Sequence, residues 1–473
     1  MTISRRSALS GIATGAAATG LMACDSKSQT APRPTNVSPS SLPKIQLPPS
    51  PTSLFYNKAR AADILAEEKV DLLICSEPRN IYYLTNQKPM TYRLGMNDYS
   101  YATLAAKTPD RPTFIIGRFG VYFGGVADTD IFNELDYKLF SVPADAEAFA
   151  SLTDINDIIN APVFEDFYPR FHQEVALAPH IQQRRDRDKI AIREHFATVE
   201  GALIKQILDT DLQNKTVAID HPKIRETLEK SGLDLRIVDG ERIIKKIRLQ
   251  KTPAELELAR YAIQSNADSA RLAAKSVRAG ASLQDVRREF ARNCGANLSQ
   301  PVFMAIDAIV PELVPGNIPE GRTFLIDCVS EFQGYHGDFG RTVCVGEPTR
   351  QMQKIVNALS DTWDRIMPML KAGTKYSEIF AAATKLFAET GVDAGFAVNP
   401  HSVGLQHTDE PSKSDFGLWE KDDIELVENM ILSIDMPLLD SGLGGTAHLE
   451  DLVLVGKDGP ELLNTSDDRF IVV

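Results

Sequence analysis

Apolar and polar positions alternate along this chain with two periods, about 3.6 and 2, after a leading stretch that has neither. From Leu54 to Glu67 the apolar residues recur at helical spacing, and Val70 to Cys75 runs as a strand. Asn80 to Thr85 starts a further element, and Pro112 to Ile116, Ala218 to Asp220 and Leu235 to Val238 read as strands. Strands and helices alternate up to about Asp239, which predicts an α/β domain. Thr252-Pro253-Ala254-Glu255 then supplies an N-cap, a proline at the first helical position and a capping-box glutamate, predicting a helix to about Val277. A second helix is expected from Ser282 to about Arg292, then strands around Phe303 and Thr323. Helices return from Gln351 to Met369 and from Tyr376 to Thr390, and the chain is strand-rich from Met430 onward. Two helices and then strands, given twice, predict an internally duplicated α+β domain.

Length and composition narrow the class. The chain has 473 residues, enough for two or more domains, and 43% hydrophobic with 24% charged residues is ordinary for a folded soluble protein. A net charge of −13 leaves no surplus of Lys and Arg to neutralise phosphates, which argues against nucleic acid as a partner. No repeat of solenoid length is evident.

The leading stretch is an address, to be kept apart from the fold. Ser4-Arg5-Arg6-Ser7-Ala8-Leu9 resembles a twin-arginine export signal, and the apolar run from Gly11 to Ala23 is too short to span a bilayer as a mature helix. Leu21-Met22-Ala23-Cys24 resembles a lipoprotein cleavage box, so Cys24 is expected to carry the lipid anchor, the chain's only membrane attachment. Asp25 resembles a signal for retention at the inner membrane, which implies a periplasmic lipoprotein. From 24 to 53 the residues are mostly Ser, Pro, Thr and Gln without apolar periodicity, a disordered tether. The other cysteines, Cys75, Cys294, Cys328 and Cys344, have no zinc or disulfide-framework spacing. They read as small buried hydrophobes, with the facing of Cys328 and Cys344 across a hairpin left open.

The chemistry concentrates in Ile326 to Val345, where Asp327 and Asp338 lie on two short strands joined by a tight connection containing Gly334 and Gly337. Asp327 follows the apolar run Phe324-Leu325-Ile326, and a buried carboxylate is costly unless a cation meets it. Taken alone, each aspartate beside a glycine also reads as a turn residue. Downstream, His401 stands in Pro400-His401-Ser402-Val403-Gly404-Leu405, Asp435 ends an apolar strand and Glu450 opens the last one. Four carboxylates and an imidazole suit two bridged divalent ions, with a carboxylate such as Asp338 or Glu450 shared.

Together these residues resemble the family of methionine aminopeptidase, Xaa-Pro aminopeptidase, prolidase and creatinase, metallopeptidase family M24. The match runs through Asn80 to Thr85, Arg248 and Lys251, Asp327, Gly334, Tyr335, Asp338, Arg341, Thr342, His401, Gly404, Leu405, Glu450 and Asp451. It implies a creatinase/prolidase-type α/β amino-terminal domain over 54–246 and an α+β pita-bread catalytic domain over 247–473. It also implies Asp327, Asp338, His401, Asp435 and Glu450 as ligands of two divalent ions, foremost Mn, with Co, Zn or Fe as alternatives. A small peptide or small-molecule substrate and a homodimer are part of the same expectation.

The departures bear on activity. Val329 stands where the family has Gly, Gly340 replaces its first Thr of the hairpin, and Asp435 is one methylene shorter than the family's Glu. Thr408 occupies the position of a second His, with His407 one place earlier, where alternation points a strand side chain the other way. No His stands around Val310 and Pro311 or at Ala397. His448 stands where the Xaa-Pro branch often has Arg, and His336 lies inside the hairpin. His407 and His448 are candidate general acids or substrate holders, or hydrogen-bond partners of the ligand carboxylates; Asp435 or Glu450 could shuttle the proton. The leading expectation is a dinuclear metallohydrolase of the Xaa-Pro aminopeptidase or dipeptidase type. The alternative is another enzyme on the same scaffold, such as a dimethylsulfoniopropionate-type lyase or a small-molecule amide hydrolase; a non-catalytic binding protein is third.

Overall fold

The apolar runs ahead of Asp239 pair into one mixed sheet, and those from Gln300 onward pair into another. The computed structural model describes residues 45–89, 100–118, 120–121, 129–163, 176–191, 194–412, 422–464 and 468–473. The expected leader over 1–23, the expected anchor at Cys24 and the expected tether as far as 44 lie outside the described residues.

The first sheet contains β1 (Leu72–Cys75), β2 (Ser100–Ala105), β3 (Thr113–Gly117), β4 (Asp136–Phe140), β5 (Glu194–Phe196), β6 (Thr216–Ile219) and β7 (Arg236–Asp239). Their order is β5-β4-β3-β2-β1-β6-β7, antiparallel around β2 and parallel elsewhere, with helices between strands as expected of an α/β layer. The element begun at Asn80 is a helix, Pro78–Thr85, opened by proline at its first turn.

The second sheet contains β8 (Gln300–Ile306), β9 (Thr323–Phe332), β10 (Tyr335–Cys344), β11 (Asn399–Ser402), β12 (Ile431–Leu438) and β13 (Ala447–Val455), ordered β11-β12-β13-β10-β9-β8. Two short strands, β14 (Pro460–Leu462) and β15 (Phe470–Val472), add to β13 and β10. Ahead of β8 stand the helices Pro253–Ser276 and Leu283–Ala296; ahead of β11 stand Arg350–Ile366 and Tyr376–Glu389. The expected order of two helices and then strands, given twice, is present. Residues Thr252 and Glu255 close the capping box in both directions.

Strand alternation assigns these helices to one face. Phe324, Ile326 and Cys328 of β9 and Phe339 and Val343 of β10 share a buried cluster with Ala267, Ala270 and Ala274 of the first long helix. Leu432, Ile434 and Met436 of β12 share another with Ile355, Leu359 and Trp363. Helix and hairpin meet closely: a Cβ on Gly337 would lie 2.4 Å from Asn266 Cβ. The alternate residues of these strands, among them the candidate ligands, face the other way.

The two sheets share a core, because one buried cluster includes Leu73 and Tyr83 from the first part and Tyr335, Leu405 and Leu454 from the second. Lys44–Val473 form one compact unit, and the helix Gly240–Arg248 runs across the expected division at 246/247. At its end Arg248, fully buried, bonds Asp409 Oδ1 from Nε at 3.0 Å and Gln406 Oε1 from Nη2 at 3.0 Å, and also reaches Asn80 Oδ1. Lys251 Nζ stands 3.6 Å from Asp409 Oδ2. Burial alone would raise the Asp409 carboxyl, but Arg248 and Lys251 outweigh it and hold it at about 2.

Removing one partner of a buried pair strands the other, so Asp409→Asn is expected to cost roughly 3–5 kcal/mol in chemical denaturation. The sign with pH follows from the depressed carboxyl. Its contribution is complete above the ordinary aspartate range near 3.8 and is lost as pH falls through about 2. Wild type should therefore lose its advantage over the variant between those values in acid unfolding.

Candidate metal centre

The hairpin that carries the aspartates is longer than expected: β9 and β10 have ten residues each, turned by Gln333 and Gly334 with φ of +52° and +86°. Positive φ at both turn positions suits a two-residue hairpin loop, and glycine takes it without strain. In register, Asp327 opposes Gly340 and Asp338 opposes Val329. Gly340 opposes Glu450 on its other side, Glu450 opposes Asp435, and His401 opposes Ser433, two residues before Asp435. Directly paired residues share a face. All five candidate ligands therefore project from one face of five consecutive neighbours, β11, β12, β13, β10 and β9.

They converge. Ligand atoms of Asp327, Asp338 and Glu450 lie within 4.8 Å of one another, as do those of His401, Asp435 and Glu450, and those of Asp338, His401 and His407. Asp338, His401 and Glu450 each belong to two of these groups, so the three groups form one continuous cluster. His401 Nε2 stands 3.6 Å from Asp338 Oδ2 and 3.7 Å from Glu450 Oε1. Ser433 Oγ donates to Glu450 Oε1 at 2.6 Å.

Four carboxylates in so small a buried space cannot all hold their charge unaided. Burial, and then Asp327 beside it, pushes the Asp338 carboxyl well above its usual range. Burial with Asp338 and Asp435 does the same to Glu450, and burial raises Asp327. Asp338 Oδ1 and Asp327 Oδ1 are buried and accept no hydrogen bond. Buried carboxylate oxygens without donors, crowded with like charges and joined by imidazole, fit divalent cations of the hard-to-borderline class.

Asp435 is the exception. Burial would raise it, but His448 overcomes this and holds it low. His448 Nε2 lies 2.7 Å from Asp435 Oδ1, and Nδ1 lies 3.3 Å from the Ile326 carbonyl. Against the burial penalty, Asp435 lifts the imidazole to about 9. The ring is 1% exposed, and of the roles expected for it, orienting a carboxylate is the one its contacts serve. Its backbone is clamped by Thr342, whose Oγ1 donates to the His448 carbonyl at 3.0 Å and accepts from its N–H at 2.9 Å. Room for the ring comes from residue 340: a Cβ on Gly340 would lie 2.2 Å from His448 Cε1. In sequence, Gly340 and His448 read as separate departures; strand pairing makes them one feature.

His407 also enters. The segment 403–410 is no strand, so alternation does not govern it, and His407 Nε2 stands 3.0 Å from Asp338 Oδ2. Its side chain is 35% exposed and rests edge-on against Phe303, with ring centroids 5.7 Å apart. Phe303 opposes Val329 and thus shares the ligand face, which its sequence surroundings did not signal. His336 points elsewhere, towards the Gly404 carbonyl. Cys328 pairs with Phe339 and Cys344 with Thr323, so these two cysteines do not face each other; both are free and buried.

Residues 257–457 match the model of metallopeptidase family M24. The Xaa-Pro dipeptidase of Pyrococcus furiosus is 26% identical over 264 residues, covering 54% of this chain and 73% of that one. The probable dipeptidase PepE of Mycobacterium tuberculosis is 29% identical over 156 residues, 33% of this chain and 40% of its own length. Among solved structures, the prolidase from Pyrococcus horikoshii aligns with a TM-score of 0.60 at 17% identity, over 87% of this chain and 98% of that one. At that identity the likeness concerns the fold, two sheets with the second in the pita-bread arrangement.

The Gly340–His448 exchange can be tested by itself. Gly340→Ala drives a methyl into a ring held at both nitrogens and is expected to cost roughly 1–3 kcal/mol. Adding His448→Ala should recover much of that loss in a double-mutant cycle of denaturation midpoints; strictly additive losses would refute the steric coupling.

Proposed function

We propose that the chain, matched over residues 257–457 by the model of metallopeptidase family M24, is a divergent prolidase-type member of that family and a metal-dependent hydrolase of small peptides, an Xaa-Pro dipeptidase or aminopeptidase in type. The observation that carries this reading is the convergence of ligand-type side chains from five neighbouring strands. Asp327, Asp338, His401, Asp435 and Glu450 would hold two divalent ions, Mn foremost, with Co, Zn or Fe as alternatives. Such ions would supply Lewis acidity at the scissile carbonyl and a hydroxide nucleophile near neutral pH.

The chain's own residues do the rest. Ser433 holds Glu450 Oε1, and His448 holds Asp435 Oδ1, so both carboxylates are oriented before substrate arrives. Either is placed to carry a proton from the nucleophile towards the leaving amine. Phe303 and the half-exposed His407 form a wall beside Asp338 that a small peptide can reach. A homodimer exported by the twin-arginine route and held in the periplasm by lipid on Cys24, at the inner membrane, completes the proposal.

One observation favours a second reading, a non-peptidase enzyme such as a dimethylsulfoniopropionate-type lyase or a small-molecule amide hydrolase. His448 occupies Asp435 Oδ1, leaving less free carboxylate for proton transfer to an amine.

Purified protein is expected to contain about two equivalents of divalent metal and to cleave Xaa-Pro dipeptides or tripeptides when Mn is added. Bound metal without cleavage of any proline peptide would reject the peptidase in favour of the second reading, and absence of metal uptake would reject both. Asp338→Ala should lose metal and turnover together; retained activity would overturn the ligand assignment. For the anchor, Cys24→Ser is expected to abolish lipid labelling and release the protein from the membrane fraction, and an unchanged distribution would refute it.

A further inference from the structure

We propose that His407 is itself a metal ligand, forming with His401 and Asp338 a two-imidazole subsite that makes up for the oxygen Asp435 has given to His448. The inference rests on the metal-centre reading above and refines which side chains divide the ions.

Three observations carry it. First, His407 Nε2 and His401 Nε2 aim at the same carboxylate oxygen, Asp338 Oδ2, from 3.0 and 3.6 Å, and the three ligand atoms lie within 4.8 Å of one another. Second, the other ring nitrogen of His407 lies 3.2 Å from Thr408 Oγ1. A metal-binding imidazole typically presents one nitrogen inward while a hydrogen bond at the other fixes its orientation, and His407 is arranged in this way. Third, Asp435 Oδ1 is engaged at 2.7 Å by a ring packed into the space over Gly340, and Asn399 hydrogen-bonds the same carboxylate, so Asp435 has less to offer a metal.

The placing of the rings adds to the same arrangement. The His401 and His407 rings have centroids 4.8 Å apart and are tilted by 41°, so the two imidazoles approach one point from different directions. Phe303 packs edge-on against His407 and limits its swing. Chemically, two imidazoles and a carboxylate form a softer donor set than Asp327, Asp338 and Glu450 a few ångströms away. The two halves of the centre should therefore differ in preference: the imidazole half favours Zn, Co or Fe, and the carboxylate half favours Mn.

The experiment is Co(II) loading of the purified full chain, read by proton NMR for hyperfine-shifted, exchangeable imidazole N–H resonances and by titration for stoichiometry. Wild type is expected to show two such resonances, and His407→Ala one, with at least a tenfold weaker second equivalent. His407→Gln, which keeps a polar group near Asp338 without an imidazole, should also show one. Two bound equivalents with a single resonance in both wild type and His407→Ala, at unchanged affinity, would overturn the inference, leave His407 as an ion-pair partner of Asp338 and leave the metal-centre reading intact. No Co(II) uptake by wild type would overturn both.

Discussion

The constraint on which this structure turns is the gathering of four carboxylates on one buried face of a sheet. Among Asp327, Asp338 and Glu450, whose ligand atoms lie within 4.8 Å of one another, each pair of charged carboxylates would cost roughly 3–4 kcal/mol in an effective dielectric of about 20. Strand pairing alone would not hold such residues together against that repulsion. The opposite face supplies the counterweight, since its residues pack on the helices Pro253–Ser276 and Arg350–Ile366 and share their apolar clusters. The polar residues on that face act in the same sense. Arg341, fully buried, reaches Asp451 Oδ1 at 2.6 Å and the Glu450 carbonyl at 2.7 Å, riveting β10 to β13 directly behind two of the carboxylates. A guanidinium there is paired and hydrogen-bonded, which makes its burial tolerable.

The same logic explains why Gly340 matters although it carries no chemistry. It lies at the centre of the ligand row, opposite Asp327 on one side and Glu450 on the other. Any side chain there would fill the space above the sheet between them. Leaving it empty admits the His448 ring, which brings a cation against Asp435 and relieves part of the local negative charge. A shorter carboxylate, an absent side chain and a new imidazole are thus one rearrangement spread over three strands.

Much of this was legible in the sequence, for physical reasons. The capping box at Thr252 and Glu255 and the 3.6-residue periodicity after it are local signals, and the long helices fall close to where they are expected. The ligand residues could be singled out because an acidic residue at the end of an apolar run is costly without a cation. What could not be read was pairing across strands. Gly340 and His448 are far apart in sequence, and only register superposes them; the separation of Cys328 from Cys344 is likewise a fact of register. His407 could be singled out as a candidate acid or substrate holder, but its direction could not be read for a related reason. Alternation along a strand would point it away from the site, whereas its segment is an irregular loop whose direction is set by tertiary anchors.

Those anchors give the first sheet a bearing on the site. Gln406 and Asp409, on either side of His407, are both bonded by Arg248, and Asp409 also accepts from the Leu405 N–H at 3.1 Å. A Cβ at Gly404 would lie 2.2 Å from Asp409 Oδ2, so the loop is drawn tightly onto the buried charge. Arg248 in turn bonds Asn80, whose amide donates to Asp220 Oδ2 at 2.9 Å and Glu241 Oε2 at 2.8 Å. The chain of contacts runs from the first sheet, through the residue that begins the passage to the second, to the loop holding His407 beside Asp338. Fold does not determine reaction, and the five strand-borne positions alone would suit many reactions. The imidazole that distinguishes this centre is held by residues outside the second sheet, so the amino-terminal part helps to shape the chemistry as well as cover it.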